Sequence, residues 1–224
     1  MELPENPTAL QQPLPRSFLK PAVLKKSCFC IIAILMNILL SSFLINILGI
    51  PLFVDTVFTA AITFAFGFIP GIIVAVLSWF IPCILNMSFH FFILCSITEV
   101  ILIYALKPKT PNIPIYASKE RIIASYTIIA AKLMLLYIIC AITISVLGGI
   151  INFLPQFFLK THENYFSIED TFKPALIMNN FPVLAVNILS RIPINIVDRF
   201  IVIFGGFFIS LGLIKLFNKH EIKV

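Results

Sequence analysis

Hydrophobic residues along this chain fall in long unbroken runs, and the polar residues collect in the gaps between them. A helix needs about 20 apolar residues to cross about 30 Å of hydrocarbon, since each residue rises about 1.5 Å. Six runs predict membrane-spanning helices, over 28–48, 52–66, 72–85, 89–106, 122–154 and 192–217. Gly49 and Pro51 end the first. Gly67, Pro70 and Gly71 mark a tight turn after the second. Gly67 and Gly71 also stand four apart, as in close-packed membrane helices, but the proline between them favours the turn. The run 122–154 is longer than one straight crossing needs, so it either tilts or protrudes at Gly148-Gly149.

A further apolar stretch, 175–189, is interrupted by Asn179, Asn180, Pro182 and Asn187. The distribution of positive charge decides how to read it. Lysines 20, 25 and 26 precede the first run, Lys107, Lys109, Lys119 and Arg121 lie between the fourth and fifth, and Lys215, Lys219 and Lys223 close the chain. Basic residues are retained on the cytoplasmic side, and only an even number of crossings puts all three groups there. The expectation is therefore an all-α polytopic membrane protein with six transmembrane helices and both termini cytoplasmic. On that expectation 175–189 is a helix lying in the outer interface. The layout is a proline-bearing flexible cytoplasmic tail (1–26), a membrane domain (27–217) with an outer polar segment (155–191), and a short cytoplasmic end (218–224). The expected location is the cell membrane, multi-pass, in a bacterial cytoplasmic membrane. The first run is too long for the apolar part of a cleaved signal peptide.

Composition narrows the function. At 60% hydrophobic and 12% charged, with a mean hydropathy of +1.05, the chain lies far from soluble domains, which are about a quarter charged. Little length is left over for a soluble catalytic domain. The net charge of +6 orients segments, so no nucleic-acid partner is expected. Cys28, Cys30, Cys83, Cys95 and Cys140 sit in or beside apolar runs and read as small buried residues. The sequence contains no G-x-x-x-x-G-K-[ST], H-E-x-x-H or G-x-S-x-G, and its three histidines lack metal-ligand spacing. Neither an enzyme nor a metal or cofactor is expected.

The candidate chemistry lies in the ionisable residues of the runs, which in a membrane pair with each other or mark a solute path. By their distance from the helix ends, Glu99 and Lys132 reach similar depth and are expected to form a structural ion pair. Asp55, Arg191, Asp198 and Arg199, with Asn86 and His90, converge near the outer side, as the wall of a ligand pocket does. Two plainer readings stay open: Asp55 caps the second helix, and Arg199 extends to the interface. Neighbouring helical positions point about 100° apart, so Asp198 is expected to face the pocket and Arg199 to turn towards a neighbour or the interface.

The segment 49–61, Gly-Ile-Pro-Leu-Phe-Val-Asp-Thr-Val-Phe-Thr-Ala-Ala, followed by Phe66-Gly-Phe-Ile-Pro-Gly71, resembles the first loop and second to third helices of S components of energy-coupling-factor transporters and related sensor membrane domains. The segment 187–199, Asn-Ile-Leu-Ser-Arg-Ile-Pro-Ile-Asn-Ile-Val-Asp-Arg, followed by Phe204-Gly-Gly206, resembles the last helix of the same group. The resemblance implies a subunit that captures a vitamin-like micronutrient from outside. It would work in the lipid bilayer with a transmembrane coupling subunit and an ATPase pair, and would topple to release its small-molecule substrate. It implies a ligand-binding set of Asp55, Asn86, His90, Asn195 and Asp198. The family's first helix often carries alanines four apart that pack on the coupling subunit, and the matching positions here read Ala33, Asn37 and Ser41. The rival reading is a membrane sensor or signalling input module; since no soluble output domain follows Val224, the importer comes first.

Overall fold

The computed structural model describes residues 21–46, 54–85, 91–109, 118–159 and 168–219. The tail 1–20, Asn86, His90, the polar stretch 160–167 and the end 220–224 lie outside them. Among the described residues all regular structure is helical: α1 (Pro21–Asn46), α2 (Val57–Phe66), α3 (Phe68–Leu85), α4 (Ile93–Leu106), α5 (Lys119–Leu159), α6 (Ile168–Met178), α7 (Val183–Leu189), α8 (Ile192–Phe200) and α9 (Gly206–Lys219). A 3-10 turn, Val54–Thr56, leads into α2, and a π turn, Ile201–Gly205, joins α8 to α9.

Three stretches are long and apolar enough to cross a membrane, Ala22–Leu44, Lys119–Leu154 and Val183–Asn218; Val54–Phe66, Phe68–Ile84 and Ile93–Leu106 are shorter apolar helices. The polarity of the bundle is that of a membrane protein. Ile31, Leu35 and Leu39 on α1, Ile128, Leu135 and Ile142 on α5, and Phe208 on α9 are exposed, whereas Asn37, Glu99, Asn195, Asp198 and Arg199 are buried. Water would penalise so much bare hydrocarbon, but lipid does not.

At the centre stands the shortest helix of the apolar set, α2. Every residue from Val57 to Phe64 except Phe58 is buried, because α1, α3, α4 and α9 pack around it. Thr56 gives α2 no side-chain cap. Asn37 of α1 substitutes for it: its Oδ1 accepts the Phe58 N–H at 3.1 Å, in the first turn where N–H groups lack helical partners. The Asn37 amide also donates to Thr59 Oγ1 at 2.9 Å and Ser78 Oγ at 3.1 Å, tying α1 to α2 and α3.

The expected turn at 67–71 is present. Gly67, with φ 95°, separates α2 from α3, and its N–H returns to the Thr63 carbonyl at 3.1 Å. Pro70 falls in the first turn of α3, where no helical hydrogen bond is lost. At Gly206 the backbone of α9 comes so close to α2 that a Cβ would lie 2.7 Å from the Cβ of Ala60.

The long fifth run is one segment, as expected: α5 is a single helix of 41 residues through Gly148 and Gly149. Both glycines are buried where α7 and Arg191 press on α5; a Cβ on Gly149 would meet the Ile188 backbone at 2.8 Å. One expectation about the second half is corrected: 175–189 is not one helix. It divides into the end of α6 and all of α7 at Asn180, whose φ of 58° is a left-handed conformation that asparagine tolerates, and α7 buries Val186 and Asn187 against α5.

The π turn keeps one face of the last helix inward. The buried positions run Asn195, Asp198, Arg199, Val202, Ile203, Gly206, Phe207, Ser210. Over the interval from Asn195 to Ser210 a plain α-helix, at about 100° per residue, would carry the stripe about 60° past its starting face. A turn closed between i and i+5 holds more residues than an α-turn and absorbs that excess.

The two ends of the bundle differ. At one, Lys26 lies 6.0 and 5.7 Å from the ring centres of Phe66 and Phe217, and Lys107 lies 5.2 Å from that of Tyr104. The other end holds the cavity.

Candidate functional site

The four helices around α2 do not close completely at the end away from Lys26. Ser41 stands fifteen positions along α1 from Lys26, about 22 Å at 1.5 Å per residue, and it lines a cavity of about 250 Å³. The 3-10 turn contributes Asp55 and Thr56, α3 contributes Trp79, α4 contributes Cys95, Ser96 and Glu99, and α5 contributes Ile144. Phe92 precedes α4, and Arg191, Asn195 and Arg199 come from the segment around α8. The cavity thus draws its lining from six separate stretches of sequence, four of which bring polar groups, as small-molecule sites do.

Arg199 organises the wall. Its Nη1 donates to Glu99 Oε2 and, at 3.2 Å, to Thr56 Oγ1, while Nη2 donates to Asp198 Oδ2 at 3.1 Å. Both acids and the guanidinium are buried, with side-chain exposures of 4% or less. A guanidinium presents its donors as a fixed planar fork, which lets one arginine hold two carboxylates and a hydroxyl at once. Glu99 Oε1 is buried with no hydrogen-bond partner.

On the α5 side, Asn195 Nδ2 donates to Ser145 Oγ at 2.9 Å, and that hydroxyl donates to the Ala141 carbonyl at 2.7 Å. Arg191 is buried, with its guanidinium 4.9 Å from the ring centre of Phe92. A Cβ on Gly148 would sit 2.9 Å from Arg191 Nη1, so the glycine makes the room that this side chain occupies.

Of the residues that sequence reasoning assigned to a ligand site, Asp55 and Asn195 line the cavity. Asp198 is fully buried and holds Arg199, and it is not among the lining residues. Asn86 and His90 lie outside the described residues. The expected pairing of Glu99 with Lys132 is replaced: Glu99 pairs with Arg199, and Lys132 is exposed on α5. Depth along two helices fixes how far in a residue lies but not which way it points. On α8, Arg199 turns towards a neighbour, Glu99 of α4, as expected, but it is Arg199 and not Asp198 that lines the cavity. Asp55 is not the cap of α2, since the capping position is Thr56, and Arg199 does not reach for the interface.

No protein-family model, curated protein or solved structure matches this chain.

Arg191 and Arg199, which the sequence placed in the outer polar group, also line the cavity, whereas Glu99 was expected in a structural ion pair and not in the ligand site, although it too is an ionisable group in an apolar run. Trp79, the single tryptophan, and the hydroxyls of Ser41, Thr56 and Ser96 gave no such signal. The face of α1 that would match a partner-docking surface, Ala33, Asn37 and Ser41, points inward: Ala33 and Asn37 are buried and Ser41 lines the cavity. Packing that face on another protein is incompatible with this fold.

Proposed function

We propose that this chain is the substrate-capturing membrane subunit of an ATP-driven importer for a vitamin-like micronutrient, with ATP hydrolysis on partner chains. The cavity of about 250 Å³ carries the reading: it is enclosed by membrane-type helices and combines polar groups with aromatic walls. The charge pattern supports six crossings with both termini cytoplasmic, which sets the cavity end outward, where a nutrient arrives. The short helices suit that arrangement, since α2 is jacketed by protein and need not match the bilayer thickness by itself.

Purification from native membranes in a mild detergent tests this. Recovery of an ATPase pair and a coupling subunit, with a small molecule released on denaturation, supports the importer. Recovery of neither partner nor small molecule rejects it.

One observation favours a second reading, a membrane sensor or signalling input module. The inward-facing Ala33, Asn37 and Ser41 remove the docking face that the importer family offers its coupling subunit. Capture of a kinase in place of the ATPase pair would select the sensor.

A further inference from the structure

Among the described residues, carboxylates outnumber guanidinium groups around the cavity. Asp55 and Glu99 line it as acids, and Arg191 and Arg199 line it as bases. Asp198 adds a third carboxylate, held by Arg199 and fully buried. Among the described residues, three carboxylates stand against two guanidinium groups there, with Glu99 and Asp198 fully buried and Asp55 half-buried. An uncompensated buried charge is costly, and in native structures it is paired.

The excess has a position. Arg199 already donates to Glu99, Asp198 and Thr56. Its guanidinium therefore has little left to offer an incoming anion. Glu99 is the opposite case: one oxygen accepts from Arg199, and the other, Oε1, has no partner although the residue is 1% exposed and lines the cavity. An ionised carboxylate accepts and cannot donate, so the missing partner must bring an N–H or O–H. Asp55 adds a second acceptor to the same wall. The remaining surface comes from Trp79, Phe92 and Ile144, which suit a flat or compact apolar body.

We propose that the cavity binds a small organic cation, whose ammonium, amidinium or protonated ring nitrogen is held by Glu99 and Asp55 while its apolar part rests on Trp79 and Phe92. This rests on the reading of the cavity as a ligand site, and it specifies the ligand's charge. A net anionic ligand would add to the excess charge and leave Glu99 Oε1 unsatisfied. A neutral ligand would leave the excess uncompensated.

Three probes of similar size and shape separate the cases: tryptamine, indole-3-ethanol and indole-3-acetate. Their binding to the full chain purified in detergent is measured by titration calorimetry and by the shift in unfolding temperature. The expected result is that tryptamine binds about tenfold or more tighter than either relative, as charge-assisted hydrogen bonds to a buried carboxylate allow. Glu99→Gln is expected to remove that preference. Because Glu99 also anchors Arg199, Asp55→Asn provides a second variant that leaves that ion pair in place, and it is expected to weaken tryptamine selectively. Ser96→Phe, which fills the cavity, is expected to abolish binding of all three.

Equal binding of amine and alcohol, or tighter binding of the acid, overturns the cationic ligand. If that binding is still lost in Ser96→Phe, the cavity remains a ligand site. Absence of binding by every probe, or binding indifferent to Ser96→Phe, overturns the cavity reading along with the charge assignment.

Discussion

Glu99 of α4 and Arg199 of α8, 100 positions apart in the chain, meet as a buried ion pair that forms one wall of the cavity. The pair joins structure to site, since Arg199 also holds Asp198 and Thr56. Removing one partner strands the others. Arg199→Met leaves two buried carboxylates without their cation and is expected to cost about 3–5 kcal/mol, the range for breaking a buried pair. Unfolding temperature in detergent checks it. The double variant Glu99→Gln with Arg199→Met is expected to be less destabilised than the sum of the singles, because the Glu99 carboxylate that Arg199→Met strands is neutralised by Glu99→Gln.

Asn37 makes three hydrogen bonds from one side chain and caps a helix that has no side-chain cap of its own. Asn37→Leu keeps the volume roughly and loses all three. A cost of about 1–3 kcal/mol is expected for the Phe58 N–H and its neighbours left unsatisfied. Heat stability of the purified variant is the measurement, alongside an unchanged amount inserted in the membrane. A loss of insertion with normal heat stability would contradict the capping role.

Two glycines of α9 make a matched comparison. A Cβ at Gly206 would press on Ala60 at 2.7 Å and on the Val57 carbonyl at 3.1 Å, whereas one at Gly212 meets nothing within 4 Å. Gly206→Ala is expected to destabilise by about 1–3 kcal/mol through overpacking. Gly212→Ala is expected to be neutral or stabilising by up to about 1 kcal/mol, since alanine gives up less backbone freedom in a helix. Thermal unfolding of both variants, side by side, reads the difference.

Topology is open to direct labelling. With the five native cysteines replaced, a cysteine at Met178, which is 84% exposed at the end of α6, is expected to react with a membrane-impermeant maleimide in intact cells. A cysteine at exposed Lys109 is expected to react only after lysis. The reverse pattern would invert the orientation proposed for the cavity.

What the sequence disclosed, and what it hid, follows from how each feature is encoded. Hydrophobic run length is local information, and among the described residues the runs appear as helices, with a break at Gly67. Asp55 and Asn195 reach the cavity because each stands near the end of its run. Partner choice is non-local. Lys132 matches Glu99 in depth, but it points out of α5, while the long side chain of Arg199 covers the lateral distance from α8. Asn37 shows the same limit in another form. A polar residue in an apolar helix announces a partner, yet nothing in the local sequence says that the partner is the start of α2.

The lysine end of the bundle constrains how the opposite end can move. Lys26 joins α1 to Phe66 and Phe217 through the faces of their rings, and Phe66 and Phe217 are themselves in contact, with centroids 5.5 Å apart. The ends of α1, α2 and α9 are thereby gathered at one point, while Ser41 further along α1 and the turn leading into α2 line the cavity. Any tilt of α1 about that joint would be magnified along the helix, from Lys26 to the cavity wall. A small angular change at that joint, carried about 22 Å along α1 to Ser41, becomes the largest displacement where a ligand would be gripped or let go.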